Sequence, residues 1–130
     1  MVSFPDLRLR RIRDRPQLRN LARETRLSPS QFIYPLFVTH GQGRREPIET
    51  MPGCHHISLD LLAEEVGEAQ ELGIPGVLLF GLPAEKDPAG TEAYDPEGIV
   101  QEAVRVLKRD VPNMLVITDV CLCEYTDHGH

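Results

Sequence analysis

Several things that would commit a chain to a class early are scarce in this one. No apolar run approaches the roughly 18 residues that a membrane span requires, so no transmembrane helix is expected. The amino-terminal stretch is rich in arginine and lacks an apolar core, so no secretory signal peptide is read there. Cysteine is limited to three residues. Cys121 and Cys123 are separated by a single residue, a spacing at which thiols pair poorly with each other. A disulfide framework is therefore not expected, and metal ligation in a reducing cytoplasm is. Lysine is scarcer still, with only Lys86 and Lys108. α/β barrel enzymes often use a strand-end lysine as an imine-forming nucleophile. Lys86 falls in a polar loop and Lys108 near the end of a helix, so any such lysine is expected beyond residue 130.

What is present describes an ordinary soluble domain. The 130 residues are 41% hydrophobic and 26% charged, within the range of globular proteins. The net charge of −6 conceals an asymmetry. Residues 1–26 carry eight arginines against Asp6, Asp14 and Glu24, a balance of +5, and the remainder carries six basic against seventeen acidic groups, a balance of −11. A basic arm before an acidic body suits either nucleic acid or the acidic surface of a sister subunit. No aromatic residue is interleaved with the arginines and no nucleic-acid fold signature follows. Subunit docking is the expectation.

Residues 1–30 read as an arm with one short helix over 16–26, where Leu18, Leu21 and Ala22 recur at helical spacing behind Pro16. Residues 31–130 alternate strand and helix. Residues 31–38 form a strand candidate, with Pro35 awkward for a central position, and residues 40–53 a polar loop. Ser58 opens a helix with Leu59, Leu62, Ala63, Val66 and Ala69 on one face, closed by Gly73 and Pro75. Residues 76–81 are a short apolar strand. After a polar loop over 82–94, Asp95 and Pro96 are read as capping a second amphipathic helix through Val100, Ala103, Val104 and Leu107. A third strand begins near Met114.

Apolar strands alternating with amphipathic helices predict a parallel sheet with right-handed crossovers. One βα unit takes roughly 40 residues here, and a closed eight-unit barrel needs about 250 or more. The chain is expected to be the first βαβαβ portion of a longer barrel.

The chemistry is concentrated in residues 118–130. Strand alternation carried past Ile117 would put Asp119, Cys121 and Cys123 on one face and Val120 and Leu122 on the other. Thiols beside a carboxylate at the carboxyl end of a parallel strand, with His128 and His130 close by, suit an open zinc site. The bland reading makes the cysteines small buried hydrophobes, and the polar neighbours argue against it. Cys54-His55-His56 is read as a solvated loop, and Glu64, Glu65, Glu68 and Glu71 as a solvated helix face.

The segment Asp119-Val-Cys-Leu-Cys-Glu-Tyr-Thr-Asp-His-Gly-His130 resembles the metal-binding segment of the porphobilinogen synthase (delta-aminolevulinic acid dehydratase) family. Arg23-Glu-Thr-Arg-Leu-Ser28, Phe32-Ile-Tyr-Pro-Leu-Phe-Val38, Arg45-Glu-Pro-Ile48, Met51-Pro-Gly53, Leu72-Gly-Ile-Pro75, Leu79-Phe-Gly81, Lys86-Asp87 and Glu92-Ala-Tyr94 are similar to the same family. The resemblance implies a TIM (β/α)₈ barrel with an N-terminal arm that embraces a neighbouring subunit of an octamer, truncated here after about three strands and two helices. It implies condensation of two 5-aminolevulinate molecules to porphobilinogen with loss of two waters, through two Schiff-base lysines on later strands.

Cys-x-Cys is the mark of the zinc-dependent branch. Cys121 and Cys123 match two of its three zinc ligands, the third following His130, and Asp119 matches an active-site carboxylate. His130 matches a residue that in some members serves a second metal site, with additional Mg²⁺ in the full-length protein. Cys54-His55-His56 departs from the family's usual residues. The fragment alone is expected to be inactive. Two other readings stay open: a metal-assisted hydrolase barrel, and a non-enzymatic zinc-binding fragment.

Overall fold

The computed structural model describes residues 3–7 and 9–129. Five strands form one sheet, in the order β2-β3-β1-β4-β5. They are β1 (Ile33–Thr39), β2 (Arg45–Pro47), β3 (His55–Ser58), β4 (Gly76–Leu82) and β5 (Leu115–Thr118), with helices α1 (Pro16–Ala22), α2 (Leu59–Glu71) and α3 (Ile99–Asp110). β1, β4 and β5 are parallel neighbours in chain order. The helical crossovers from β3 to β4 and from β4 to β5 carry the chain toward one edge, while the short β3 lies on the other side of β1.

The pleat divides the sheet into two faces. Register pairs Leu36 with Leu79, Tyr34 with Val77 and Val77 with Val116. This row meets the apolar stripes of α2 and α3, where Leu62, Val66, Ile99, Ala103 and Leu107 are fully buried. The spacing of those residues at three and four is what aims a helix face at the sheet. The opposite face carries Pro35, Phe37, Leu78, Phe80 and Ile117. Phe37 and Phe80 are register partners and stack at 5.2 Å between ring centroids.

Helix boundaries follow local chemistry. Gly73 ends α2 at φ 84°, a left-handed conformation that favours glycine. Its N–H bonds Gln70 O at 2.9 Å, and Ile74 N–H bonds Ala69 O at 3.1 Å. Ser58 stands at the N-cap of α2, but its hydroxyl accepts from Arg44 N–H at 2.9 Å and leaves the helix end uncapped by its side chain. α3 starts at Ile99 behind Gly98, later than the Asp95-Pro96 pair suggested. Asp95 instead takes Glu97 N–H at 2.8 Å and closes a turn outside the helix.

Two strands escaped the sequence reading. Cys54-His55-His56 is not a solvated loop: His55 and His56 belong to β3, which pairs in parallel with β1 through Phe37–His56, and all three residues are half-buried. Arg45 and Glu46 pair antiparallel with it. The segment is too short for a periodic pattern, and only the β1 edge makes it a strand. β3 reaches β1 only from Phe37 onward, so Pro35, which has no N–H, lies where β1 is paired on one side alone. That is where sheets tolerate proline.

Among the described residues, the arm adds nothing to this core. α1 and the 3₁₀ turn Arg11–Arg13 bury no residue, and Leu9, Leu21 and Leu27 are 85%, 82% and 77% exposed. α1 stops at Ala22, four residues short of its expected end. Among the described residues no helix is long and apolar enough to cross a membrane.

Candidate active site

The carboxyl ends of β1, β4 and β5 share one edge of the sheet, and the loops that leave them meet there. β5 ends at Thr118, and the ladder continues for one bond more, from Asp119 N–H to Leu79 O at 3.3 Å. Asp119 then folds back, its Oδ1 accepting Val120 N–H at 2.8 Å. The expected alternation beyond it does not occur. Asp119, Val120, Cys121 and Leu122 all line the same cavity of about 480 Å³ at the open edge of β5.

Cys121 and Cys123 nevertheless meet, by a different route. Leu122 O accepts Tyr125 N–H at 2.9 Å and Thr126 N–H at 3.0 Å, curling residues 122–126 into a turn. The two sulfurs lie 2.6 Å apart and both cysteines are free, Cys121 exposed and Cys123 half-buried. Hydrogen bonding to Cys121, then burial and nearby negative charge, raises the Cys123 thiol above its ordinary value. Two soft sulfur donors on one exposed turn fit part of a zinc ligand set. Among the described residues no group of three His, Cys, Asp or Glu side chains is placed to hold a metal ion. His128, which was expected close by, does not complete one; His130 lies outside the described residues.

A second recess, of about 320 Å³, opens on the sheet face away from the helices. Phe37 and Phe80 form an apolar floor, with His56, Lys86 and Glu124 at its rim. The His56 ring meets Phe37 edge-on at 6.3 Å. Burial, with Asp119 as a second cause, raises the Glu124 carboxyl above its ordinary value; hydrogen bonding to the Gly81 backbone and the charge of Lys86 pull the other way. Sequence reasoning missed His56 and Lys86 here. Lys86 is indeed in a loop, but that loop folds back over the recess. Phe37 on the solvent-facing alternate of an otherwise apolar strand was the one signal available.

Beneath these sites, Tyr125 is buried and its phenol is pushed up to about 12, chiefly by burial and then by Glu124, Glu92 and Asp119. Glu92 ties three elements together. It accepts from Ala84 N–H at 2.9 Å and from Ile99 N–H at 3.2 Å, and it lies 2.7 Å from His40 Nε2. Lys108, by contrast, donates to Met114 O at 3.4 Å, at the end of β5 remote from the thiols.

Comparison with known proteins agrees with this arrangement. Residues 6–130 match the family model of delta-aminolevulinic acid dehydratase. The delta-aminolevulinic acid dehydratase of Bacillus subtilis is 52% identical over 123 residues, covering 95% of this chain and 38% of the relative. That of Methanothermobacter thermautotrophicus is 48% identical over 131 residues, covering 99% and 40%. The fold is similar to the crystal structure of porphobilinogen synthase from Toxoplasma gondii in complex with its reaction product, porphobilinogen. The TM-score is 0.87 at 37% identity, over 95% of this chain and 36% of that one. The chain thus spans about two fifths of the length of the curated relatives it matches. Two converging thiols on the turn after a parallel strand, in a sheet of this topology, are features of a chain that belongs to the delta-aminolevulinic acid dehydratase family.

Proposed function

We propose that this chain supplies the first strands and the metal-binding turn of a porphobilinogen synthase. That enzyme joins two molecules of 5-aminolevulinate into porphobilinogen with release of two waters, a reaction of tetrapyrrole and haem biosynthesis. The observation that carries the proposal is the convergence of Cys121 and Cys123 beyond β5 in a chain of this family.

Cys121 and Cys123 would hold zinc through two thiolates, and a bound zinc supplies Lewis acidity toward a carbonyl oxygen. Asp119 adds a carboxylate beside them, and the Phe37–Phe80 floor gives a small substrate an apolar surface with Lys86 and Glu124 at its margin. The Schiff-base lysines belong to residues outside this chain. Lys86 is on a loop and Lys108 is at the wrong end of the sheet. His130 is assigned to a second metal site, with Mg²⁺ as the additional ion of the full-length protein.

The one-directional order β1-β4-β5, with α2 and α3 on one face, supports completion as a (β/α)₈ barrel. The exposed leucines and arginines of the arm support docking on a second subunit of a homo-octamer. Free thiols suit the cytoplasm.

Incubating the full-length protein with 5-aminolevulinate tests the reading. Porphobilinogen should form, should stop after chelation, and should return with zinc. No product from the intact protein would overturn the activity, and undiminished turnover after chelation would overturn the role of zinc.

A further inference from the structure

The turn that carries Cys121 and Cys123 is held from outside itself, by the loop after β4. Asp87 N–H donates to Tyr125 O and Asp127 N–H donates to Asp87 O, each at 3.3 Å, a two-bond parallel bridge between the loops. Tyr125 and Thr126, the residues so gripped, are both buried. They are also the two whose N–H groups close the turn onto Leu122 O, the residue between the cysteines.

The Asp87 side chain shapes the loop that does the gripping. Oδ1 accepts Ala89 N–H at 2.7 Å and Oδ2 accepts Thr91 N–H at 3.1 Å. A hydrogen bond from the Thr91 side chain is the main reason that the Asp87 carboxyl sits below the usual range, with the backbone N–H groups of Thr91, Ala89 and Gly90 adding to it. The loop is thereby bent so that Gly90, at φ 61°, packs directly on Tyr125 and Thr126. A Cβ there would stand 3.4 Å from the side chains of both. Glu92 fixes the far end of the same loop to Ala84 and Ile99.

We propose that Asp87 is a positioning residue for the zinc ligands. By folding its own loop, it holds the Cys121–Cys123 turn in place before metal arrives; this inference rests on the zinc reading above. Asp87 touches neither sulfur and acts through Tyr125, Thr126 and Asp127. Pre-ordering of a ligand turn lowers the conformational entropy lost on binding. Residues that orient metal ligands from outside the coordination sphere typically contribute 10- to 100-fold in affinity.

The test uses the full-length protein. Zinc affinity is measured by chelator competition, and the cobalt(II)–thiolate absorption is recorded beside it. Asp87→Ala should weaken zinc binding by about 10- to 100-fold and shift the thiolate bands. Asp87→Asn, whose one amide oxygen can still accept Ala89 N–H and, at longer range, Thr91 N–H, should recover part of the affinity. Hydrogen exchange on the metal-free, unaltered protein adds an arm that needs no variant: the amides of Tyr125, Thr126 and Asp127 should be protected. Unchanged zinc affinity in Asp87→Ala overturns the proposal, as does equal weakening by Ala and Asn, or exchange at 125–127 as fast as in an unstructured chain. If the unaltered protein binds no zinc at all, the metal reading fails and this inference fails with it.

Discussion

His40 Nε2 and Glu92 Oε1 lie 2.7 Å apart and join the loop after β1 to the loop after β4. Glu92 is the less exposed partner, with a side chain 16% accessible against 40% for His40, and its two oxygens also satisfy the N–H groups of Ala84 and Ile99. Glu92→Ala leaves those donors without their acceptor. The expected destabilisation of the full-length protein is about 2–3 kcal/mol, since each orphaned group costs roughly 1–3 kcal/mol when buried and less where water replaces the partner. Glu92→Gln, whose one remaining oxygen can still accept one of the two N–H groups, should lose less than Glu92→Ala. Denaturant melts of both variants decide this, and equal losses would contradict a contribution from the retained acceptor.

Gly81 lies opposite Val38 in the sheet and directly under Tyr125. A Cβ at this position would come within 2.5 Å of Val100 Cγ2, 2.6 Å of the Tyr125 hydroxyl and 3.0 Å of Ile99 Cγ2. Gly81→Ala should therefore overpack the junction of β4, α3 and the cysteine turn, at a cost of about 1–3 kcal/mol. Because Tyr125 must move, zinc affinity should fall as well. A melt together with a zinc titration checks both, and unchanged values in the two would contradict the packing described.

Burial holds the phenol protons of Tyr34 and Tyr125 beyond the ordinary range. Tyr34 is raised from 10.0 to about 12, first by burial and then by its hydrogen bond to Glu65, which is 2.6 Å long; Tyr125 is raised to about 12 mainly by burial. A raised phenol keeps its proton longer in the folded state than in the unfolded chain. Its stabilising contribution is complete below pH 10 and disappears as the pH climbs toward about 12. Absorbance at about 295 nm, followed against pH, should show these two phenols titrating near 12 and stability falling over the same interval. Ionisation of these two phenols by about pH 10, the unperturbed value, would contradict the burial of Tyr34 and Tyr125.

Much of this was readable from the residues. The core stripes Leu62–Val66–Ala69 and Ala103–Leu107 follow the helical period, and β4 is a plain apolar run. β2 and β3 were not legible, because strands of three and four residues show no period and exist only through their pairing with a neighbour. The cysteine pair was legible as chemistry but not as geometry. Alternation requires a strand, and β5 ends three residues before Cys121, so the thiols meet through hydrogen bonds to Leu122 O that no spacing rule encodes. His56 and Lys86 reach the recess by tertiary folding of a hairpin and a loop, for which the local sequence carries no signal.

Reduction with borohydride in the presence of 5-aminolevulinate separates the imine chemistry from the metal chemistry. In the full-length protein the reduced adducts should fall on lysines outside these 130 residues, leaving Lys86 and Lys108 unmodified. An adduct on Lys86, the only lysine at the carboxyl edge of the sheet here, would require the recess beside Phe37 and Phe80 to be the reacting site. The 130-residue chain alone should give no porphobilinogen.

We propose that Cys121 and Cys123 hold a zinc ion on which the reaction depends. Zinc content and porphobilinogen formation should be measured together in the full-length protein and in its Cys121→Ala, Cys123→Ala double variant, with folding verified by circular dichroism. Stoichiometric zinc and turnover are expected in the first, and loss of both in a folded second. A folded double variant that retains its zinc and its turnover would contradict it.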